Sequence, residues 1–391
     1  MRRARWLAAW RKSSVRPVFY HVISRVVDRR FVFGVDEKEK FRTLMRLQEK
    51  FTGCRAVSYC LMDNHFHILL EVPPMAEGGL SDKDLLKRLS AIYSEAFVAE
   101  VAKELMEARS ANDADGNGTG SVSVSVSGTN SSSEAAGSGS GTGTRLDAAV
   151  GAIHQRFSYR MHDLGEFMKG LLQRFTQWFN RRQSRTGRLW EDRFRSVIVE
   201  DGVAAKTIAA YIDLNPVRAG MVKDPADYRW CSYGEAIGGG AKGNGKTARA
   251  GLVRALRAHQ GIGADADLWA SGVAREYRKL LMAGAVGRTS ESIGKDGRVV
   301  SKTLRKGLSK EKVAEEKAKD GELSLGKALR CRIRYFTDGA VIGSKEFVNE
   351  AFASARERFG ARRKDGARAM RGSGSAARGL LWSVRDLRVR I

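Results

Sequence analysis

Cysteine is scarce in this sequence. The 391 residues include four cysteines, and no two of them form a CxxC pair. The sequence therefore predicts neither a zinc ribbon nor a disulfide framework, and it fits a reducing cytoplasm. The four positions are Cys54, Cys60, Cys231 and Cys331.

Long apolar runs and acidic side chains are also in short supply. No run is apolar over the roughly 18 residues that a membrane span needs, and the basic start MRRARWLAAWRKSSVRP has only a short apolar patch. We therefore expect neither a membrane span nor an export signal.

Only 44 Asp and Glu oppose 69 Lys and Arg, which gives a formal net charge of +25. This balance favours nucleic acid as a partner and a cytoplasmic, nucleoid-associated location, although a solvated surface can also be basic.

Hydrophobic patterns predict alternating strands and helices in the first part of the chain. Residues 18–27 are rich in β-branched and aromatic residues, which indicates a buried strand. Residues 38–51 have the helical period, and Gly53 marks the end of that helix. Residues 56–72 predict a second strand, which a turn near Met62-Asp63-Asn64 can divide into a hairpin. A further helix is expected to begin near Ser81 and to continue unbroken to the insertion.

Composition divides the chain into four segments. Residues 16–109 and 145–234 hold the strong patterns, and they are predicted to form one domain in two parts. Between them, residues 110–144 are nearly all Ser, Gly, Thr, Asn and Ala, which predicts a disordered insertion. Residues 235–391 form a basic extension with helical pieces and no assigned role; it can bind DNA, associate with another copy, regulate access, or be a loosely folded appendage.

Two histidines sit one residue apart in the predicted strand. Side chains alternate along a strand, so His65 and His67 point the same way and can meet one ion. Unbroken alternation over this stretch also predicts that Cys60 and Met62 share the apolar face with Phe66, whereas Tyr59 shares the histidine face. A third, oxygen ligand from elsewhere would favour Mg²⁺ or Mn²⁺, although two histidines can also be ordinary strand residues.

A tyrosine and an asparagine lie four residues apart in the segment YIDLNPVRAG. This spacing predicts that Tyr211 and Asn215 share one helical face, and Pro216 is expected to end the helix. Arg218 follows, where its guanidinium can hold a phosphate. A tyrosine can attack a phosphodiester and conserve its bond energy in a covalent link, but Tyr211 can equally be a packing residue.

Three motifs in this order resemble those of the REP-associated tyrosine transposases, which are single-tyrosine members of the His-hydrophobic-His (HUH) nuclease superfamily related to insertion-sequence transposases. The motifs are MDNHFHILLE, GRLWEDRFRS and YIDLNPVRAG, and the start VFYHVISRVVDRR looks like the family's first strand. The resemblance covers roughly residues 16–232, apart from the insertion. It implies an α+β, ferredoxin-like fold whose central antiparallel sheet is flanked by helices, with a mostly helical extension after residue 234 that compact members lack.

The resemblance also implies roles for individual residues. His65 and His67 would bind the metal, Asn215 would complete the site, and Tyr211 would be the nucleophile that forms a 5′-phosphotyrosine link. The family acts on single-stranded DNA with hairpins from palindromic repeats. Candidate DNA contacts, by position, are Arg193, Arg195 and Arg218.

Two other functions are also compatible with the sequence. A related HUH replication initiator or relaxase would act on origins, although the YIDLNPVRAG segment argues against it. A catalytically silent nucleic-acid-binding protein would keep the fold and bind hairpins without cutting them. The sequence also leaves open whether the protein is a monomer or a homodimer.

Overall fold

The computed structural model describes residues 5–116, 143–240, 242–270, 272–285, 288–293, 299–305, 334–337, 339–370 and 379–385. Most of the insertion predicted to be disordered lies outside these residues. The two ends of the insertion that the structure describes are helical: one helix extends to Gly116, and the next begins at Gly143.

The described helices are α1 (Val35–Thr52), α2 (Asp82–Leu89), α3 (Glu95–Gly116), α4 (Gly143–Ser158), α5 (Leu164–Arg182), α6 (Val203–Asp213), α7 (Asn215–Ala219), α8 (Ser232–Gly238), α9 (Gly243–Arg257), α10 (Val273–Ala285), α11 (Arg334–Thr337) and α12 (Lys345–Ala353). The described strands are β1 (Val18–Arg25), β2 (Arg55–Leu61), β3 (His65–Val72), β4 (Arg195–Val199), β5 (Arg288–Ile293), β6 (Val299–Arg305), β7 (Val341–Gly343), β8 (Arg368–Ala369) and β9 (Trp382–Val384).

A mostly antiparallel sheet organises the fold. Its seven strands follow the order β2-β3-β1-β4-β7-β9-β8, and β5 pairs with β6 in a separate hairpin. The inner pairs β2–β3, β3–β1 and β1–β4 are antiparallel, whereas β4 and β7 run parallel. The predicted α+β fold with a central sheet flanked by helices is confirmed, and the parallel pair makes the sheet mixed.

Apolar layers cover both faces of this sheet. On one face, Phe66, Ile68 and Leu70 of β3 pack in a buried cluster with residues of α1 and α5. On the other face, Leu69 packs in a second cluster with residues of α6, α8, α9 and α10. The tyrosine segment therefore lies in the layer that covers the odd-numbered residues of β3, the face on which both histidines stand.

Several local signals end or begin helices as expected, and one prediction is wrong. Gly53 adopts φ 76°, a left-handed conformation that glycine takes at no steric cost, and ends α1. Asp163 caps α5 by accepting a hydrogen bond from the Glu166 backbone at 2.9 Å. The helix expected to run on unbroken from Ser81 is interrupted after Leu89, because the Ser94 hydroxyl caps a new helix by accepting from the Phe97 backbone at 3.3 Å.

The C-terminal extension is part of this fold. It is helical through α9 and α10, as predicted, and it also supplies β7, β8 and β9, which no pattern in the sequence predicts. Val341 and Ile342 of β7 pair with Ile198 and Val199 of β4, so the extension continues the sheet from the strand beside β1. No described helix is long and apolar enough to cross a membrane.

A buried carboxyl joins the extension to the tyrosine helix. Asp213, at the end of α6, accepts hydrogen bonds from the Tyr277 hydroxyl of α10 at 2.6 Å and from the Tyr233 backbone at 3.0 Å. Both Asp213 and Tyr277 are fully buried. Burial raises the pKa of the Asp213 carboxyl to about 7, since the protein interior disfavours its charged form. The Tyr277 hydroxyl partly offsets that cost.

Replacing Tyr277 with Phe should therefore destabilise the protein. The substitution removes one donor from a buried carboxyl and should lower the free energy of unfolding by about 1–3 kcal/mol. Urea denaturation followed by circular dichroism measures the change. Tyr159→Phe is the matched control, because Tyr159 is 61% exposed, and its effect should stay within about 0.5 kcal/mol. Equal unfolding midpoints for the two variants would contradict this account of α10.

Candidate active site

His65 and His67 lie on an inner strand of the sheet. β3 runs between β2 and β1, and His67 stands opposite Cys60 of β2 and Ile23 of β1. The two imidazole centroids are 5.1 Å apart. His67 is buried and His65 is half-buried. Both rings therefore lie on the same side of the sheet and are close enough for both to contact one ion.

The neighbours predicted for the histidines on β2 are wrong. Cys60 is the cross-strand partner of His67, and Cys60 and Met62 belong to the apolar cluster on the histidine side. Tyr59 instead packs in the opposite cluster with Phe66. The reason is the turn at residues 62–64, where the Met62 backbone donates to the His65 carbonyl at 2.8 Å. Since this turn separates two strands, alternation in β2 does not continue into β3.

A third histidine, His21 of β1, stands beside His67. Its Nε2 atom lies 3.0 Å from Nδ1 of His67, and the two rings stack with centroids 5.2 Å apart. Nδ1 of His21 lies 2.8 Å from the backbone oxygen of Phe336 in α11. The histidine strand is thus connected through His21 to the C-terminal extension.

Burial keeps these imidazoles neutral. It lowers the pKa of His67 well below the usual value, with smaller contributions from His21 and His65, and it lowers the pKa of His21 to about 4. Burial, and then the positive charge of Arg25, lower the pKa of His65 to about 4. At neutral pH each ring therefore keeps one nitrogen lone pair, which is the form that binds metal ions.

Tyr211 packs directly against the histidines. Its ring centroid lies 5.7 Å from that of His67 and 5.9 Å from that of His21, each in an edge-to-face arrangement. The Phe336 ring also stacks on Tyr211, with a centroid distance of 4.7 Å. Tyr211 is only 3% exposed. The tyrosine and histidine motifs, which are remote in sequence, therefore meet in one place, beneath a residue of the extension.

Asn215 lies one helical turn beyond Tyr211. Its Nδ2 atom donates to the backbone oxygens of Tyr211 and Ile212, both at 3.1 Å, and this fixes the orientation of the amide. The prediction that Pro216 ends the tyrosine helix is wrong: α6 already ends at Asp213, and Pro216 lies in the first turn of α7, which Asn215 begins. Proline has no backbone N–H to donate, so it is tolerated there. Since Nδ2 is engaged, Oδ1 remains as the acceptor of this amide.

The three arginines predicted to contact DNA differ in their surroundings. The Arg218 guanidinium lies 4.7 Å from the centroid of the Tyr211 ring, and its Nη1 donates to the Tyr211 carbonyl at 3.0 Å. Arg195 is exposed at the start of β4, opposite Ile23 of β1. Arg193 is exposed in the loop before that strand. Arg218 is therefore at the tyrosine, whereas the other two are surface residues near β1.

The residues at this site fit a divalent metal. Each histidine uses Nδ1 in a hydrogen bond, His65 to Asn64 Oδ1 at 2.7 Å and His67 to His21. Neither Nε2 atom bonds to another described residue. Within the described part of the chain, no three His, Cys, Asp or Glu side chains could hold a metal together. A two-histidine site therefore needs a different oxygen donor, and the Asn215 amide is of that type.

Two residues of this cluster were not singled out from the sequence. His21 lies in the predicted strand VFYHVISRVV, but its contact with His67 depends on the pairing of β1 with β3, which could not be predicted from the sequence. No sequence pattern pointed to Phe336, because it lies in a short helix of the extension, where the hydrophobic pattern is weak.

The amino-terminal part of the chain matches a known family. Residues 14–107 match the family model described as Transposase IS200 like. This segment is an IS200-like transposase domain. The expected resemblance to tyrosine transposases is thus confirmed, and the family supports DNA binding, DNA cleavage and use of a divalent metal. The matched segment includes His21, His65 and His67, whereas Tyr211 and Asn215 lie beyond it. No curated protein and no solved structure gives a match to this chain.

Replacing His67 with Ala should weaken metal binding by the full chain. If His67 is a ligand as expected, the change removes one of the nitrogens that bind the metal. Replacing a residue that only supports a ligand already lowers affinity about 10–100-fold, so the loss of Mn²⁺ affinity should be at least that large. Calorimetric titration with Mn²⁺ measures it. His259→Ala serves as the control, because His259 is exposed on another part of the chain. Unchanged affinity in folded His67→Ala protein would rule out this ligand.

Proposed function

We propose that this chain cuts and rejoins single-stranded DNA, with Tyr211 as the nucleophile. His65, His67 and Asn215 would hold the divalent metal, Mg²⁺ or Mn²⁺. One observation carries the proposal: the centroid of the Tyr211 ring lies 5.7 Å from that of the His67 ring, although the two residues are far apart in sequence. A nucleophile next to a pair of neutral imidazoles is the arrangement that metal-assisted phosphodiester cleavage needs.

The proposed reaction has two steps. First, Oη of Tyr211 bonds to the phosphorus of a phosphodiester, the bond from phosphorus to the 3′ oxygen breaks, and the phenol proton is lost as that oxygen becomes a hydroxyl. The strand beyond the cut is then held as a 5′-phosphotyrosine ester. In the second step a DNA 3′-hydroxyl attacks this ester and releases the tyrosine. The ester conserves the energy of the broken bond, so no ATP is needed.

The side chains around Tyr211 suit this chemistry. An unperturbed tyrosine has a pKa of about 10, so the phenol needs positive charge nearby to ionise. Arg218 brings its guanidinium to 4.7 Å from the ring centroid, which favours the phenolate and a bound phosphate. A metal bound at the histidines would add charge and neutralise the phosphate oxygens. The fixed amide of Asn215 would turn its Oδ1 to the same ion.

We expect the substrate to be a single strand that carries a hairpin. The resemblance to REP-associated transposases implies palindromic repeats, and the formal net charge of +25 suits a polyanion. Exposed arginines lie at the histidine end of the sheet: Arg25 pairs with His65 across β1 and β3, and Arg195 begins the next strand. With Arg193 in the preceding loop, these side chains would hold the phosphates that flank the cut.

One observation favours a second candidate function. Tyr211 is 3% exposed and the Phe336 ring stacks on it, so a phosphodiester can reach the phenol only if residues packed around it move. If those residues do not move, the chain would be a hairpin-binding protein that does not cut.

Replacing Tyr211 with Phe should abolish covalent attachment to DNA. The variant keeps the ring but has no hydroxyl to form the ester. The measurement is a denaturing gel of the full chain incubated with Mg²⁺ or Mn²⁺ and an end-labelled single strand, either with a hairpin or with the hairpin scrambled. Wild-type protein and the exposed control Tyr159→Phe should both form an adduct on the hairpin strand.

Two results would count against the proposal. Adduct formed by Tyr211→Phe at the wild-type level would exclude this nucleophile. Tight binding of the hairpin strand by wild-type protein, with no adduct under either ion, would instead support the silent binding protein.

A further inference from the structure

We propose that His21 is a positioning residue that sets which ring nitrogen of His67 carries the proton. This inference rests on the proposed metal site, because its consequence is that Nε2 of His67 faces the ion with a free lone pair. His21 would not itself touch the metal or the DNA. It would act through His67.

The proton positions follow from the chain of hydrogen bonds. Nδ1 of His21 lies 2.8 Å from the backbone oxygen of Phe336. A carbonyl oxygen can only accept, so Nδ1 of His21 must carry the hydrogen. In a neutral imidazole the other nitrogen then has the lone pair, and Nε2 of His21 is therefore an acceptor.

That acceptor determines the state of His67. Nε2 of His21 lies 3.0 Å from Nδ1 of His67, so Nδ1 of His67 must be the donor. The remaining nitrogen of His67, Nε2, keeps its lone pair and is free to bind a metal. A metal-binding histidine whose second nitrogen donates to a fixed acceptor is held in one orientation and one tautomer.

The same logic holds independently at His65. Asn64 donates from Nδ2 to the Arg29 carbonyl at 3.1 Å, which fixes its amide with Oδ1 turned to His65. Nδ1 of His65 lies 2.7 Å from that oxygen and must donate to it. Nε2 of His65 is therefore also left with its lone pair. Two unrelated neighbours thus prepare both histidines in the same tautomer.

The surroundings of His21 suit such a role. It is fully buried, and its ring stacks on His67 at an interplanar angle of 22°. It stands on β1 two residues from Ile23, the direct partner of His67, so the two rings meet diagonally across the strands. Its final acceptor, the Phe336 carbonyl, belongs to α11. The C-terminal extension therefore takes part in orienting a ligand on β3.

The test compares His21→Phe with His21→Gln in the full chain. Phe keeps a ring of similar size but has no hydrogen-bonding atom. Gln can donate to the Phe336 carbonyl and accept from His67, so it restores both links. Long-range proton–nitrogen NMR of metal-free protein labelled with ¹⁵N-histidine reports which nitrogen of His67 is protonated, and His67→Gln identifies its signals. Titration with Mn²⁺ reports affinity.

We expect wild-type His67 to be protonated on Nδ1 and to stay so in His21→Gln. In His21→Phe the signals should shift towards a mixture of tautomers, and Mn²⁺ affinity should fall about 10–100-fold. Wild-type His67 protonated on Nε2 would overturn the proposal without any variant, as would a His21→Phe protein with unchanged tautomer and affinity. Because the NMR measurement needs neither metal nor DNA, its outcome is separate from any failure of the cleavage proposal.

Discussion

The site depends on one contact, the packing of Tyr211 against His67 on a buried face of the sheet. β3 presents the histidines, and α6 lies over them as part of the apolar layer that covers that face. The same burial that stabilises this layer removes water from the imidazoles and keeps them neutral. Folding of the apolar cluster on the histidine side therefore brings Tyr211, the proposed nucleophile, to the histidines and keeps them in the form that the proposed metal site needs.

The C-terminal extension contributes to this site at three points. Asp213 at the end of α6 is bonded to Tyr277 of α10, and Glu71 of β3, which is fully buried, accepts from Arg254 of α9 at 2.7 Å. The third point is Phe336, whose ring covers Tyr211 and whose carbonyl bonds to His21. The extension thus contacts both the helix and the strand that carry the proposed chemistry.

Local features of the fold could be predicted from the sequence because they depend on nearby residues. Alternation placed His65 and His67 on one face, and the glycine at position 53 ended α1. Features that depend on pairing could not be predicted. Because of the turn at residues 62–64, Cys60 and Met62 lie on the same face of the sheet as the histidines and not on the face of Phe66. The residue of β1 that lies beside His67 is determined by the register of the two strands. β7 and Phe336 come from segments with weak sequence patterns. β7 is placed by its pairing with β4, and Phe336 by its stacking on Tyr211.

The most direct measurement is to identify the residue that becomes joined to DNA. Wild-type protein would be incubated with a hairpin-bearing single strand and Mn²⁺, then digested with nuclease and trypsin for mass spectrometry. Cleavage after Lys206 and Arg218 gives the peptide TIAAYIDLNPVR, in which Tyr211 is the only tyrosine. The account predicts a nucleotide 5′-phosphate on this tyrosine. A nucleotide found on a different residue, or no modified peptide where the strand has been cut, would contradict it.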